Sequence, residues 1–157
     1  MRLRVGDGVV VLRTYPQRES PKAHPTWPEK IQRPFVDLQM MLSQNRHPSF
    51  IISGCRTILD VATKDLGGTK SKLVDRIDEL ATKSIVIGVL QAWAHKLRLD
   101  GNAAVHELEG TDEDAAQLVE FIKLFLHVAY ELPAAISAKA PPGTLAVAAT
   151  TPAPSSP

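Results

Sequence analysis

Aromatic residues are scarce in this chain: Phe, Trp and Tyr make up 5% of its 157 residues. A core must therefore be built mostly from Leu, Ile, Val and Ala, which favours helices over a sandwich or barrel. Cysteine occurs once, as Cys55, which excludes an internal disulfide and a cysteine-rich zinc site. Set in the apolar run 50–55, it reads as a buried, inert thiol, and such sparing use suits a reducing cytoplasm. Charge of one sign is also lacking. The formal net charge is +1, so the whole chain gives no argument for or against nucleic acid, although the first 33 residues are locally basic. No apolar run reaches membrane-spanning length, and Val9 to Leu12 is too short for a signal-peptide core. The expectation is a cytoplasmic protein with no membrane partner. There is no Gly-rich phosphate loop, serine-nucleophile elbow, carboxylate pair or internal repeat, so no cofactor is expected.

Proline is plentiful by contrast, with 12 residues clustered near the two ends. Pro16, Pro21, Pro25 and Pro28 make the stretch 16–29 a stiff connector rather than a helix, with Trp27 anchoring it to a helical body. Ahead of it, the β-branched run 9–15 reads as one short strand following the turn signal Gly6-Asp7-Gly8. Beyond residue 139 the chain is almost wholly Ala, Pro, Thr and Ser and cannot bury enough apolar surface to fold alone. The expected organisation is a basic arm at 1–29, a helical domain at 30–138 and a disordered tail at 139–157.

Helical periodicity fills the middle. Pro34 suits the opening turn of a first helix over 34–44. Ile51, Ile52, Cys55, Ile58, Leu59 and Ala62 mark a second over 48–66, ended by Gly67-Gly68. A short third helix, 71–81, turns Leu73, Ile77 and Leu80 inward, and its Lys72, Asp75, Arg76 and Glu79 read as a solvated face. A fourth runs over 85–99. Thr111-Asp-Glu-Asp114 is a helix start with capping-box character, opening a helix that reaches about Leu132, where Pro133 permits a kink or stop. The fold class is all-α: a bundle of about five helices with one short N-terminal strand.

The fourth helix leads into the chemically richest segment, Arg98-Leu-Asp-Gly-Asn102-Ala-Ala-Val-His106. Four residues is about one helical turn. If the helix continues through Asp100-Gly101, Arg98, Asn102 and His106 form one stripe within roughly 80° of arc, joined by His95, with Leu90, Trp93, Leu97, Ala104 and Leu108 on roughly the opposite face. His106 then has three readings: a general acid/base, a metal ligand, or a hydrogen-bonding partner for a neighbouring helix. No known metal-ligand spacing surrounds it. Arg98 suits a phosphate clamp or an ion pair with Asp100 or Glu107. Asn102 suits phosphate orientation or, if the helix breaks at Asp100-Gly101, a helix cap. His127 falls on a polar face with Glu120, Lys123 and Glu131 and reads as solvated. His24 and His47 lie beside prolines and carry no signal.

Four pieces in this order resemble a known family: the Pro-rich lead-in Tyr15-Pro16 to Pro28-Glu29; Cys55-Arg-Thr-Ile-Leu-Asp60 running into Asp65-Leu-Gly67; Leu73-Val-Asp-Arg-Ile-Asp-Glu-Leu80; and Trp93 through His106, followed by Thr111–Asp114 and the helix ending Glu131-Leu-Pro133. They resemble a bacterial and phage domain of unknown function, often fused to restriction-type endonucleases and other defence proteins and itself similar to the HEPN superfamily of helical bundles. The resemblance implies a metal-independent endoribonuclease or RNA-binding domain whose protomers pair across the motif helices as a homodimer. It implies His106 as acid/base, Arg98 as the phosphate-stabilising group and Asn102 as the intervening polar residue. The spacing from Arg98 to His106 is longer than that family's motif, Asn102 carries no charge, and the single cysteine leaves no zinc ribbon. A non-catalytic dimerisation or protein-interaction module is the alternative.

Overall fold

A computed structural model describes residues 2–5, 8–11 and 20–140, and the side chains of 20–99 and 108–140. The first elements are two strands, β1 (Arg2–Val5) and β2 (Gly8–Val11). They pair antiparallel, with Val5 opposite Gly8 and Arg2 opposite Val11. The expected strand at 9–15 is thus partly present as the second arm of a hairpin, and its partner is the chain's own residues 2–5. Residues 12–15 lie outside the described residues.

The body is helical: α1 (Glu29–Ser43), α2 (Pro48–Asp65), α3 (Leu73–Thr82), α4 (Gly88–Glu107), α5 (Asp112–Leu126), a π-helical turn (His127–Glu131) and α6 (Leu132–Ala138). Because the π turn joins α5 to α6 without a break, the described residues form five continuous rods. α2 is the hub and packs against α1, α3, α4 and α5. Its Ile51, Ile52, Cys55, Ile58, Leu59 and Ala62 are buried in one cluster. Burial pushes the Cys55 thiol up to about 12, which keeps it protonated and inert as expected. Gly54 lets α1 lie close, since a Cβ there would come within 2.5 Å of Leu38 Cδ2.

Three helices end in the same way. At α2, Gly67 has φ +89°, and the Gly68 and Gly67 N–H groups donate to the carbonyls of Thr63 and Lys64, a Schellman closure. Asn45 after α1 and Ser84 after α3 take the corresponding left-handed position. The start of α5 is a full capping box: Thr111 Oγ1 accepts from the Asp114 N–H, and the Asp114 carboxylate accepts from the Thr111 N–H.

The structure corrects the sequence reading at three places. α1 begins at Glu29, so Pro34 lies inside it and not in its first turn. The missing Pro34 N–H leaves the Lys30 carbonyl without its helical donor. Burial of Ile31 and Phe35 and the edge-on contact of Trp27 with Phe35, centroids 5.1 Å apart, offset that loss. The domain boundary expected at residue 30 therefore falls within a helix. Second, Arg76 is not on a solvated face: it is 1% exposed. Its guanidinium donates to the Asp60 carboxylate, the Thr63 hydroxyl and the carbonyls of Lys70 and Ser71. Third, Pro133 does not stop the last helix. In the π turn the Leu132 N–H bonds back to the His127 carbonyl, and this wider turn carries the helix past a residue that cannot donate. The rod Asp112–Ala138 is long enough, and apolar enough over one 18-residue window, to cross a membrane by length and composition alone. In the bundle its Leu118, Val119, Ile122, Phe125 and Leu126 are core residues. Of the expected tail at 139–157, residues 141–157 lie outside the described residues.

Candidate functional site

α4 runs unbroken from Gly88 to Glu107, so Asp100-Gly101 does not divide it. Arg98, Asn102 and His106 therefore occupy successive turns of one helix. The side chains of Asn102 and His106 lie outside the described residues. The line of α4 that enters the core is Leu90, Ala94 and Leu97. Two residues expected there sit elsewhere. Trp93 is 37% exposed and stacks on Phe121 of α5 at 5.8 Å. Leu108 is exposed and ends the helix in the left-handed conformation, φ 54°.

With the core line so placed, the Arg98 edge borders the core on its α3 side. Asp78 of α3 accepts from Gln91 Nε2 at 2.8 Å and pairs with His95 Nε2 at 2.8 Å. The Gln91 hydrogen bond, then the His95 hydrogen bond, hold the Asp78 carboxyl below its usual range, with smaller contributions from the positive charges of His95 and Arg98. His95, which the sequence groups with the stripe, is thus committed to α3. Arg98 follows it along the same edge. It is half-buried, and among the described residues its Nε has no hydrogen-bond partner. Among the described residues no group of His, Cys, Asp or Glu is placed to hold a metal ion.

Local periodicity gives part of a second cluster, the polar face of His127 and Glu131, but not its partner from the connector. The π turn brings His127 Nδ1 to 2.8 Å from Glu131 Oε2, while Glu131 Oε1 accepts from Trp27 Nε1 at 2.9 Å. One carboxylate thus ties the N-terminal connector to the last rod and orients an exposed imidazole. Tyr130, on the same turn, donates to Asp65 of α2 at 3.1 Å. Burial first, and then the Asp65 charge, raise the phenol above its ordinary range. His24 and His47 also have places: His24 Nδ1 accepts from the Thr26 N–H, and His47 caps α2 by accepting from the Ser49 N–H. The spacing of Pro133 from the last apolar residues is the one local hint of the π turn. Nothing local pairs Trp27 with Glu131, which lies 104 residues away.

Residues 39–140 match the family described as a domain of unknown function, DUF4145. No curated protein and no solved structure gives a significant match. The matched stretch covers about two-thirds of the chain, from within α1 through the end of α6, and includes every residue of the α4 stripe; the chain belongs to the DUF4145 family.

Proposed function

We propose that the chain is a HEPN-like helical domain that acts on RNA in the cytoplasm, in defence or phage–host conflict, through the Arg98–Asn102–His106 edge of α4. The observation that carries this reading is the unbroken helix through Asp100-Gly101, which keeps the three residues at one-turn intervals. The Arg98 Nε, which has no hydrogen-bond partner among the described residues, fits that reading.

In the proposed reaction the RNA 2′-hydroxyl attacks the adjacent phosphorus and gives its proton to His106. Arg98 holds the charge that builds on the phosphoryl oxygens, and Asn102 orients the phosphate. The P–O5′ bond breaks, the 5′-oxygen takes up a proton, and a 2′,3′-cyclic phosphate remains. No metal enters the step. The test is RNA cleavage by the full chain in excess EDTA, beside Arg98→Ala and His106→Ala. Cyclic phosphate ends that vanish in both variants support the reading. No cleavage by a folded wild-type chain rejects the nuclease.

One observation favours a second reading, a non-catalytic dimerisation or interaction module. Val89, Trp93, Phe121 and Leu124 line an apolar groove between α4 and α5, and Val89 and Leu124 are largely exposed. A second copy of the chain is the proposed occupant. Sedimentation of Val89→Asp and Leu124→Asp beside the wild type tests it: a dimer that both substitutions dissociate supports the module, and a wild-type monomer rejects it.

A further inference from the structure

Among the described residues, two buried side-chain nitrogens have no hydrogen-bond partner: the Nε atoms of Arg98 and Arg56. Arg98 belongs to the α4 edge. Arg56 lies on α2, outside the stripe, and is also half-buried.

The packing brings their two lines together. A Cβ on Gly110, just past the end of α4, would meet Ile52 near the start of α2. At the other end, α3 ties the second half of α2 to the first half of α4. Its Arg76 donates to Asp60 and Thr63, and its Asp78 engages Gln91 and His95. α2 and α4 are therefore antiparallel. Arg56, between Ile52 and Asp60, falls level with the part of α4 between His95 and Gly110, which holds Arg98 and Asn102. Both arginines are on the α3 side. Around α2, Arg56 stands within about 40° of Asp60 and Thr63, and around α4, Arg98 stands within about 60° of Gln91 and His95. α3 has ten residues against the twenty of α4, and among the described residues its side-chain hydrogen bonds to α4 go no further than His95. The two arginines thus flank the stretch of the α2–α4 groove that follows.

The acids bonded along these lines are engaged elsewhere. Asp60, one turn from Arg56, gives one oxygen to Arg76 and the other to Lys64. Asp78 is held by Gln91 and His95. Among the described residues neither carboxylate bonds to Arg56 or Arg98.

We propose that Arg56 is a second phosphate-binding group of the α4 edge, its guanidinium and that of Arg98 holding one RNA phosphate between α2 and α4. This rests on the RNA reading above and extends it to a residue outside the stripe. Arg56 brings the positive charge that Asn102, a neutral amide, lacks.

The probe is a short 2′-O-methyl oligoribonucleotide, which cannot be cleaved through its 2′ oxygen, titrated into the full chain and followed by fluorescence anisotropy. Arg56→Met and Arg98→Met should each weaken binding about tenfold. The double variant should lose less than the product of the two, because the groups share one phosphate. Arg56→Lys should recover part of the loss. Arg33→Met, on the exposed side of α1, should bind as the wild type does. The melting temperature of Arg56→Met should stay near that of the wild type. If Arg98→Met weakens binding and Arg56→Met does not, or if the two losses multiply in full, the shared phosphate is overturned and the α4 reading stands. If the wild-type chain does not bind the probe, or Arg98→Met binds it equally well, the RNA reading of the α4 edge falls and this proposal falls with it. An equal loss in Arg33→Met would mark bulk charge rather than a site, and a clear fall in the melting temperature of Arg56→Met would mark a structural arginine; either overturns the assignment of Arg56.

Discussion

At the scale of single residues, Arg76 shows how a charge can belong to a core. It is sealed from water, yet the Asp60 carboxylate, a hydroxyl and two carbonyls receive its N–H groups. Arg76→Met would leave those acceptors without their donors, and we expect a loss of about 3–5 kcal/mol in urea denaturation. Arg76→Lys should also be destabilised, because an ammonium lacks the planar fork that spans Asp60 and two carbonyls. The sequence holds only a weak signal for this burial: on a helical wheel Arg76 borders the arc of Leu73, Ile77 and Leu80, about 40° from Leu80, whereas Lys72, Asp75 and Glu79 lie farther from it. Glu79 behaves as a surface residue but is tied down. The Lys83 ammonium first, and then the Thr69 N–H and hydroxyl, hold its carboxyl at about 2 against an ordinary 4.5. A carboxylate lowered in the folded state adds stability above its unfolded pKa, and that stability fades as pH falls through the folded value. Between pH 4.5 and 2, then, the acid limb of the stability curve should be shallower in Glu79→Gln than in the wild type.

At the scale of elements, periodicity locates every helix, and where it misplaces an element the error lies at the element's ends. The α2 bounds are legible because Pro48 opens it and Gly67 closes it. The start of α1 is not, because proline reads as an opening residue, while the burial that extends the helix upstream comes from long-range packing. The end of α4 is not, because Asp100-Gly101 looks like a break. A glycine within a helix costs about 1 kcal/mol relative to alanine; the helix continues through it. Gly101→Ala should therefore raise stability by about 0.5–1 kcal/mol in chemical denaturation, and a clear loss would argue against a straight course through that position. The far end of α4 carries the opposite lesson. Leu108 is exposed in a left-handed conformation that a branched side chain adopts at a cost. Leu108→Gly should stabilise the domain by about 0.5–1 kcal/mol, read as a higher melting temperature. Of the candidate site, the α4 stripe is legible in the sequence, but the commitment of His95 to Asp78 is not, since it is a contact with another helix.

At the scale of the molecule, the family match begins at residue 39, but the core does not. Trp27, Ile31, Phe35 and Leu38 are all buried in the same cluster as α2 and α5. Burying a large apolar side chain contributes about 1.5–3 kcal/mol, so these four together rival the roughly 5–15 kcal/mol that holds a typical domain. A fragment starting at residue 39 should fail to give a cooperative thermal transition, and one starting at residue 20 should give one close to that of the full chain. The all-helical body is legible in the sequence because its pattern is local. The clasp between Trp27 and Glu131 is not, because hydrophobic periodicity carries no information about which distant surfaces meet.

That clasp also has a mechanical consequence. Residues 27 and 131 are the points where the connector enters the bundle and the last rod begins to leave it, and they are joined by a single hydrogen bond beside a half-exposed ring. Tension applied between residues 20 and 140 loads this junction before it reaches α2. The domain would open under force by peeling its two ends apart, with its central helix the last part to yield.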